Sequence, residues 1–194
     1  MQAVVLTQDL ELYARVAGVL GQDGWKVSWQ SGRGLVLADP AFWERGQVLL
    51  WRTPGGLRAY DPERLAFLTR RDDPKTLAEG LRGRLGLRLL PGEVGVLLAL
   101  GLGVPPEAKA LARGLGMPPH RARFHLKGLR NKLGLAWEEI LRLARHQVQV
   151  AGLEDHPDPL AWAKAQALLH VPGQEEGKGY RAQEAAPVGQ ALGV

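Results

Sequence analysis

The feature that most limits what this chain can fold into is a basic amphipathic segment near its middle, Gly116 to Leu133. Pro118 and Pro119 suit a turn and the first position of a helix, and Gly134 is a natural helix stop. Between them, apolar residues recur at helical spacing. This spacing predicts one buried stripe, formed by Ala122, Leu126, Leu129 and Leu133.

The other faces of this predicted helix carry positive charge without any compensating negative charge. No Asp or Glu occurs from Ala108 to Trp137, whereas solvated surface helices usually mix both charge signs. A helix that packs through one stripe and presents cations outward suits the major groove of DNA. The pattern therefore favours a DNA-binding helix over a surface helix that is merely basic.

Composition limits the remaining function classes. The 194 residues suffice for one large or two small domains, and the net charge of +5 is modestly basic. Because the chain has no cysteine, disulfides, thiol catalysis and thiolate metal sites are excluded. No apolar run reaches membrane-spanning length and no signal-like leader is present, so we expect a cytoplasmic protein without membrane contact.

Residues 1–87 are expected to form a small α/β domain. Helices are predicted after Asp9, which can cap one, and over Asp73–Leu85, while Leu35–Trp43 is ambiguous. Strands that alternate with helices imply a parallel sheet with both faces covered. Four strands are predicted, the last with a helix as its alternative: Ala3–Leu6, Trp25–Trp29, Val48–Trp51 and Arg64–Thr69.

This order resembles the flavodoxin-like receiver domain of two-component response regulators. Gln8 and Asp9 fall where that family has its acidic magnesium-binding pair, and Val48–Pro54 resembles the third strand with its following loop. The resemblance then puts Leu50 or Trp51 at the place of the phosphorylated aspartate, and neither accepts a phosphoryl group. It implies a truncated pseudo-receiver without phosphorylation, and a generic α/β domain is the alternative.

Residues 88–150 are expected to form an all-α domain of four helices. A short helix, a glycine turn at Gly116 and a longer basic helix together make a helix-turn-helix. The four predicted helices are Pro91–Gly101, Glu107–Leu115, the basic helix that ends at Leu133, and Trp137–Val148.

Residues 90–145 resemble the DNA-binding domain of the LuxR/FixJ/NarL class of transcription factors. The clearest match is His125-Leu126, Leu129 and the run from Lys132 to Leu135. The chain departs from the family pattern at Gly103–Glu107, which is longer, and at Pro118–Arg121, where small hydroxyl and acidic residues are usual. The resemblance implies a DNA-binding regulator that pairs as a homodimer on a two-fold site.

The same resemblance assigns candidate DNA contacts. It implies that Arg123, Phe124 and Lys127 face the groove and that Lys109 and Lys132 contact phosphates. Position on the helix adds three further expected phosphate contacts, which are His120, Arg121 and Arg130. His125 matches a position that packs near the scaffold.

Two other functions stay open beside the regulator. Region 4 of sigma factors has the same helical order, so a sigma-like or adaptor protein acting on RNA polymerase is the main alternative. A small-ligand sensor whose α/β domain controls DNA binding is the other. No nucleotide-binding loop, dinucleotide fingerprint, zinc-protease helix or nucleophile elbow is present, so no enzyme, cofactor or metal site is predicted.

Residues 151–194 form the last predicted region. Asp158–His170 is rich in alanine and leucine and can form a helix, which could serve a dimer interface or pack back on the chain. Val171–Val194 has no periodicity and is expected to be flexible.

Overall fold

The structure is a computed structural model that describes residues 1–168. Its contacts divide these residues into two compact units. Unit one is Met1–Arg88, and unit two begins at Leu89. Within the described part of the chain, every helix is too short or too polar to cross a membrane.

Unit one contains one mixed sheet with the strand order β2-β1-β3-β4-β5-β6. The first four strands in this order are parallel, and β5 and β6 are antiparallel to their neighbours. The α/β prediction is therefore confirmed, whereas the wholly parallel sheet is wrong. The strands are β1 (Gln2–Leu6), β2 (Lys26–Trp29), β3 (Leu35–Ala38), β4 (Val48–Thr53), β5 (Gly56–Asp61) and β6 (Ala66–Phe67).

The turn after β4 explains the antiparallel half of the sheet. Thr53 pairs with Gly56, so Pro54 and Gly55 form a two-residue connection. A connection this short can only make a hairpin, because a parallel strand needs a crossover of about a dozen residues. β5 was missing from the prediction, and the predicted strand Arg64–Thr69 is reduced to the two residues of β6.

The helices of unit one are α1 (Leu10–Gln22) and the single turn α2 (Leu77–Leu81). Asp9 caps α1 as predicted, since its carboxylate accepts hydrogen bonds from two backbone N–H groups of the first turn at 3.1 and 3.2 Å. The helix expected from Asp73 is much shorter. Asp73 caps a 3₁₀ turn, Pro74–Thr76, instead of the α-helix itself.

The connection from β2 to β3 crosses β1 in only five residues, Gln30 to Gly34. Gly34 has a φ of +110°, and a Cβ there would overlap the carbonyl of Gln2. The loop can run this close to β1 because glycine has no side chain. The stretch Leu35–Trp43, which is ambiguous in the sequence, contains β3 and the first residue of a 3₁₀ turn, Trp43–Arg45.

Both faces of the sheet are buried. α1 and α2 cover an aliphatic face that includes Val5, Leu37 and Leu50. On the other residues of β4, β5 and β6 an aromatic cluster forms, with ring centroids 5.4 to 6.4 Å apart. Two of these ring pairs, Trp43–Trp51 and Trp51–Phe67, pack edge to face, which stabilises the cluster beyond the area that it buries. Its members are Trp43, Trp51, Tyr60 and Phe67.

Unit two, as far as it is described, consists of helices. α3 is its central element, because residues 92–100 are all buried and α3 contacts each of the other four. A helix that is apolar on all sides is expected in such a position. The five helices are α3 (Pro91–Gly101), α4 (Ala108–Leu115), α5 (Pro119–Leu133), α6 (Trp137–Val150) and α7 (Pro159–Leu168).

Small residues let the neighbouring helices approach α3 closely. A Cβ placed on Gly95 would lie 2.7 Å from the Cβ of Ala167 in α7, and one on Gly101 would overlap the carbonyl of Ala144 in α6. α7 falls within the helix predicted at Asp158–His170. The stretch Val171–Val194, expected to be flexible, lies outside the described residues.

Candidate nucleic-acid interface

Backbone geometry at three residues sets where α4 ends and α5 begins. Gly116 ends α4 in the left-handed conformation with φ +66°, and the next N–H bonds back to the carbonyl of Ala112 at 3.1 Å. Pro118 is the N-cap of α5 and Pro119 its first residue. Because proline fixes φ and lacks a donor, it fits this first turn. The two helices are therefore joined by a short, sharply bent turn.

The buried side of α5 is more polar than the sequence predicts. Leu126 is only half-buried, whereas His125 and Lys132 are buried. The predicted stripe is thus partly wrong, because α5 is rotated so that His125 and Lys132 face α3. The buried residues are Ala122, His125, Leu129, Lys132 and Leu133.

Lys132 forms an ion pair inside unit two. Its Nζ lies 2.6 Å from Oε1 of Glu93, and neither side chain is exposed to solvent. The same oxygen accepts the backbone N–H of Leu90 at 2.7 Å, which completes part of a capping box at the start of α3. Lys132 was expected to contact a phosphate, and this prediction is wrong because its charge is held in the interior by Glu93.

Two glycines permit the close contact between α3 and α5. A Cβ on Gly92 would overlap the imidazole of His125, and one on Gly128 would overlap the carboxylate of Glu93. The buried carboxylate therefore lies directly against the backbone of α5. His125 is structural in this arrangement, as the sequence suggested.

The outer face of α5, opposite the buried residues, is solvent-exposed and cationic. Helical geometry puts its members at spacings of three and four residues, so that they form one continuous ridge. Phe124 lies at the flank of this ridge, half-buried, with its ring 5.4 Å from that of His125. The exposed members are His120, Arg123, Lys127, Arg130 and Asn131.

A shallow depression of about 520 Å³ runs along this outer face. The half-buried Leu126 and Leu135 give it an apolar part, and the rest of its lining comes from Arg123, Lys127, Arg130 and Asn131. Such a lining can donate hydrogen bonds to base edges and contact a thymine methyl group.

Asn131 is the member of the outer face that sequence reasoning missed. It is exposed and lies four residues after Lys127, hence on the same ridge. Asparagine can bond to adenine N6 and N7 simultaneously. Asn131 lies eight residues after Arg123 and four after Lys127, and this helical spacing is the sequence feature that indicates its position on the outer face.

The remaining cations differ in how they are held. The guanidinium of Arg130 lies 4.6 Å from the ring centroid of Trp137, the first residue of α6. This cation–π contact holds an exposed charge at the end of α5. Arg121 is half-buried, unlike the exposed His120. On α4, Lys109 is exposed as expected.

In unit one, two carboxylates near the end of β1 have partners within the unit. Val48–Thr53, which contains Leu50 and Trp51, is the fourth strand of the chain and not the third as expected, and Asp39 follows β3, the strand next to β1. The carboxylate of Asp39 accepts hydrogen bonds from the Thr7 hydroxyl and from the N–H of Ala41. Within residues 1–168, no three His, Asp or Glu side chains are grouped as metal ligands.

Asp9 also has a fixed partner at this edge of the sheet. Besides capping α1, Asp9 forms an ion pair with Arg52 at 2.6 Å, and Arg52 forms a second ion pair with Glu11 at 3.3 Å. A cation from β4 therefore lies beside both of these carboxylates, Asp9 and Glu11.

Comparison of the chain with protein-family models, curated proteins and solved structures finds no match.

Proposed function

We propose that this protein is a sequence-specific DNA-binding transcriptional regulator that inserts α5 into the major groove. The observation that carries the proposal is the division of α5 into two sides. One side is fixed against α3 by buried contacts, and the other presents Arg123, Lys127 and Asn131 to solvent. No acidic residue from Ala108 to Trp137 opposes the phosphate backbone.

The helix-turn-helix order supports the same function. α4 and α5 are joined by a three-residue turn that contains a left-handed glycine, as in the motif whose second helix enters the groove. Side chains of the types that donate to guanine or pair with adenine lie along one ridge, which is the requirement for reading sequence. The resemblance of residues 90–145 to the LuxR/FixJ/NarL class agrees with this assignment.

We further propose that the protein binds DNA as a homodimer and is not switched by phosphorylation. One recognition helix contacts only a few base pairs, so a two-fold pair of units on two half-sites is expected to supply the specificity. Sedimentation with and without a selected duplex measures this stoichiometry. A strict 1:1 complex on a single half-site would contradict the dimer.

The decisive experiment is selection of bound duplexes from a random pool, followed by titration of the selected and scrambled sequences. A regulator should bind the selected site about 10³-fold or more tightly than scrambled DNA at physiological salt. Equal affinity for both would reject sequence-specific binding. A pull-down of RNA polymerase without DNA tests the sigma-like or adaptor alternative, which predicts a stable complex.

A further inference from the structure

α7 lies outside the helix-turn-helix, yet it packs directly on it. Its small residues fit against α3, where Gly95 and Ala167 are in close contact. Its first turn reaches α4, since a Cβ on Gly114 would lie 3.9 Å from the δ carbons of Leu160. α7 is therefore held in a fixed position beside the first helix of the motif.

One turn further along α7, Lys164 lies across the bend between α4 and α5. A Cβ on Gly116 would be 2.6 Å from Cε of Lys164 and 3.0 Å from its Nζ. Lys164 is nevertheless exposed, and none of the ion pairs found in residues 1–168 involves it. Its charge is thus directed to solvent at the bend.

This charge continues a row of cations on α4. Lys109, Arg113 and Gly116 follow one another at spacings of four and three residues, so they share the exposed ridge of that helix. The ridge has no side chain at Gly116, and Lys164 supplies a cation there. The row spans about 10 Å at 1.5 Å per residue, and a DNA strand has one phosphate about every 3.4 Å of axis.

We propose that Lys164 is a phosphate contact and that α7 is part of the DNA-binding surface, with Lys109 and Arg113 along the same strand. This inference rests on the proposed function. Although α7 lies outside the helix-turn-helix, its Lys164 then extends the contacts with the DNA backbone around the bend between α4 and α5. Gly116 then has two roles, because it permits both the left-handed turn and the approach of Lys164.

The alternative is that the lysine stem only covers the glycine. Lys164→Met distinguishes the two, because methionine keeps most of the aliphatic stem and removes the charge. Lys75→Met is the matched control, since it removes one charge from an exposed lysine in unit one that makes no ion pair among the described residues. Thermal unfolding followed by circular dichroism checks that both variants fold.

The measurement is the affinity for a selected and a scrambled duplex at several salt concentrations. Lys164→Met should weaken both by about three- to tenfold at 0.1 M salt and should lower the salt slope by about 0.9. Identical behaviour of Lys164→Met and Lys75→Met would overturn the inference while leaving the proposed function intact. Absence of DNA binding by the unmodified protein would overturn both.

Discussion

Two lysines of α5, five residues apart, have opposite environments. Lys127 is exposed on the outer face, whereas Lys132 is buried against Glu93. A buried ion pair offsets its own desolvation only while both partners are present. Substitution of Lys127 should therefore change the affinity for DNA, whereas substitution of Lys132 should change the stability of unit two.

The buried pair gives a prediction about stability. Lys132→Met leaves the carboxylate of Glu93 buried without its cation and should lower the free energy of unfolding by about 3–5 kcal/mol. Adding Glu93→Gln removes that charge, keeps an acceptor for the N–H of Leu90, and should recover most of the loss. Urea unfolding followed by helix ellipticity measures both variants.

The control for this experiment is Lys127→Met, the same substitution on the exposed side of α5. It should change the free energy of unfolding by no more than about 0.5 kcal/mol. Equal losses from Lys127→Met and Lys132→Met would mean that the ion pair does not stabilise the unit.

The outer face gives a prediction about specificity. Lys127→Ala or Asn131→Ala should each cost about 1–3 kcal/mol on the selected duplex and should relax its sequence preference. Arg130→Ala should weaken selected and scrambled DNA alike and should lower the salt slope by about one, because Trp137 holds Arg130 at the end of the helix. Titration on both duplexes at several salt concentrations gives these quantities. If Lys127→Ala and Asn131→Ala both behave like Arg130→Ala, α5 contacts only the backbone.

For single side chains, the sequence predicts exposure well where the spacing of apolar residues within one helix determines it. The apolar period correctly leaves Arg123 and Lys127 outside. It does not identify Lys132 as buried, because the partner Glu93 is 39 residues away. Gly92 and Gly128 are the sequence features that relate to this contact. Their role is evident only in the structure, where each allows α3 and α5 to approach closely.

At the scale of secondary-structure elements, the β2 to β3 crossover depends on a single glycine, Gly34. Gly34→Ala puts a Cβ into the carbonyl of Gln2 at a φ of +110° and should lower the free energy of unfolding of unit one by about 2–4 kcal/mol. Gly21→Ala is the matched control, since Gly21 lies within α1 with nothing within 4 Å of the added carbon. It should be neutral or stabilising by up to about 1 kcal/mol. A Gly34→Ala variant as stable as the unmodified protein would show that the crossover can shift.

Element boundaries are predictable where one residue type determines the local backbone. Pro91 begins α3, and Gly134 ends α5 in the left-handed conformation. β5 is not predicted although Leu57 and Ala59 are buried on either side of the partly exposed Arg58, because the Pro54-Gly55 dipeptide indicates a loop as readily as a hairpin turn. β3 has four residues, too few for a period to be recognised.

For the molecule as a whole, we predict regulation without aspartate phosphorylation. Asp39 is the residue to test, because it follows the strand beside β1, and both of its oxygens accept hydrogen bonds from the domain itself. Incubation with a small phosphodonor and magnesium should give no acid-labile phosphate and no change in DNA affinity. Labelling that is lost in Asp39→Asn would contradict this prediction.

The Glu93–Lys132 pair has a consequence for how this protein can change over generations. It fixes the rotation of α5 through side chains that take no part in the outer face, and the outer face consists of exposed side chains that bury nothing in α3. If α5 binds DNA as proposed, substitutions at Arg123, Lys127 or Asn131 should alter the preferred site with little loss of stability. Under the proposed function, the outer face is thus free to change by single substitutions while each intermediate stays folded.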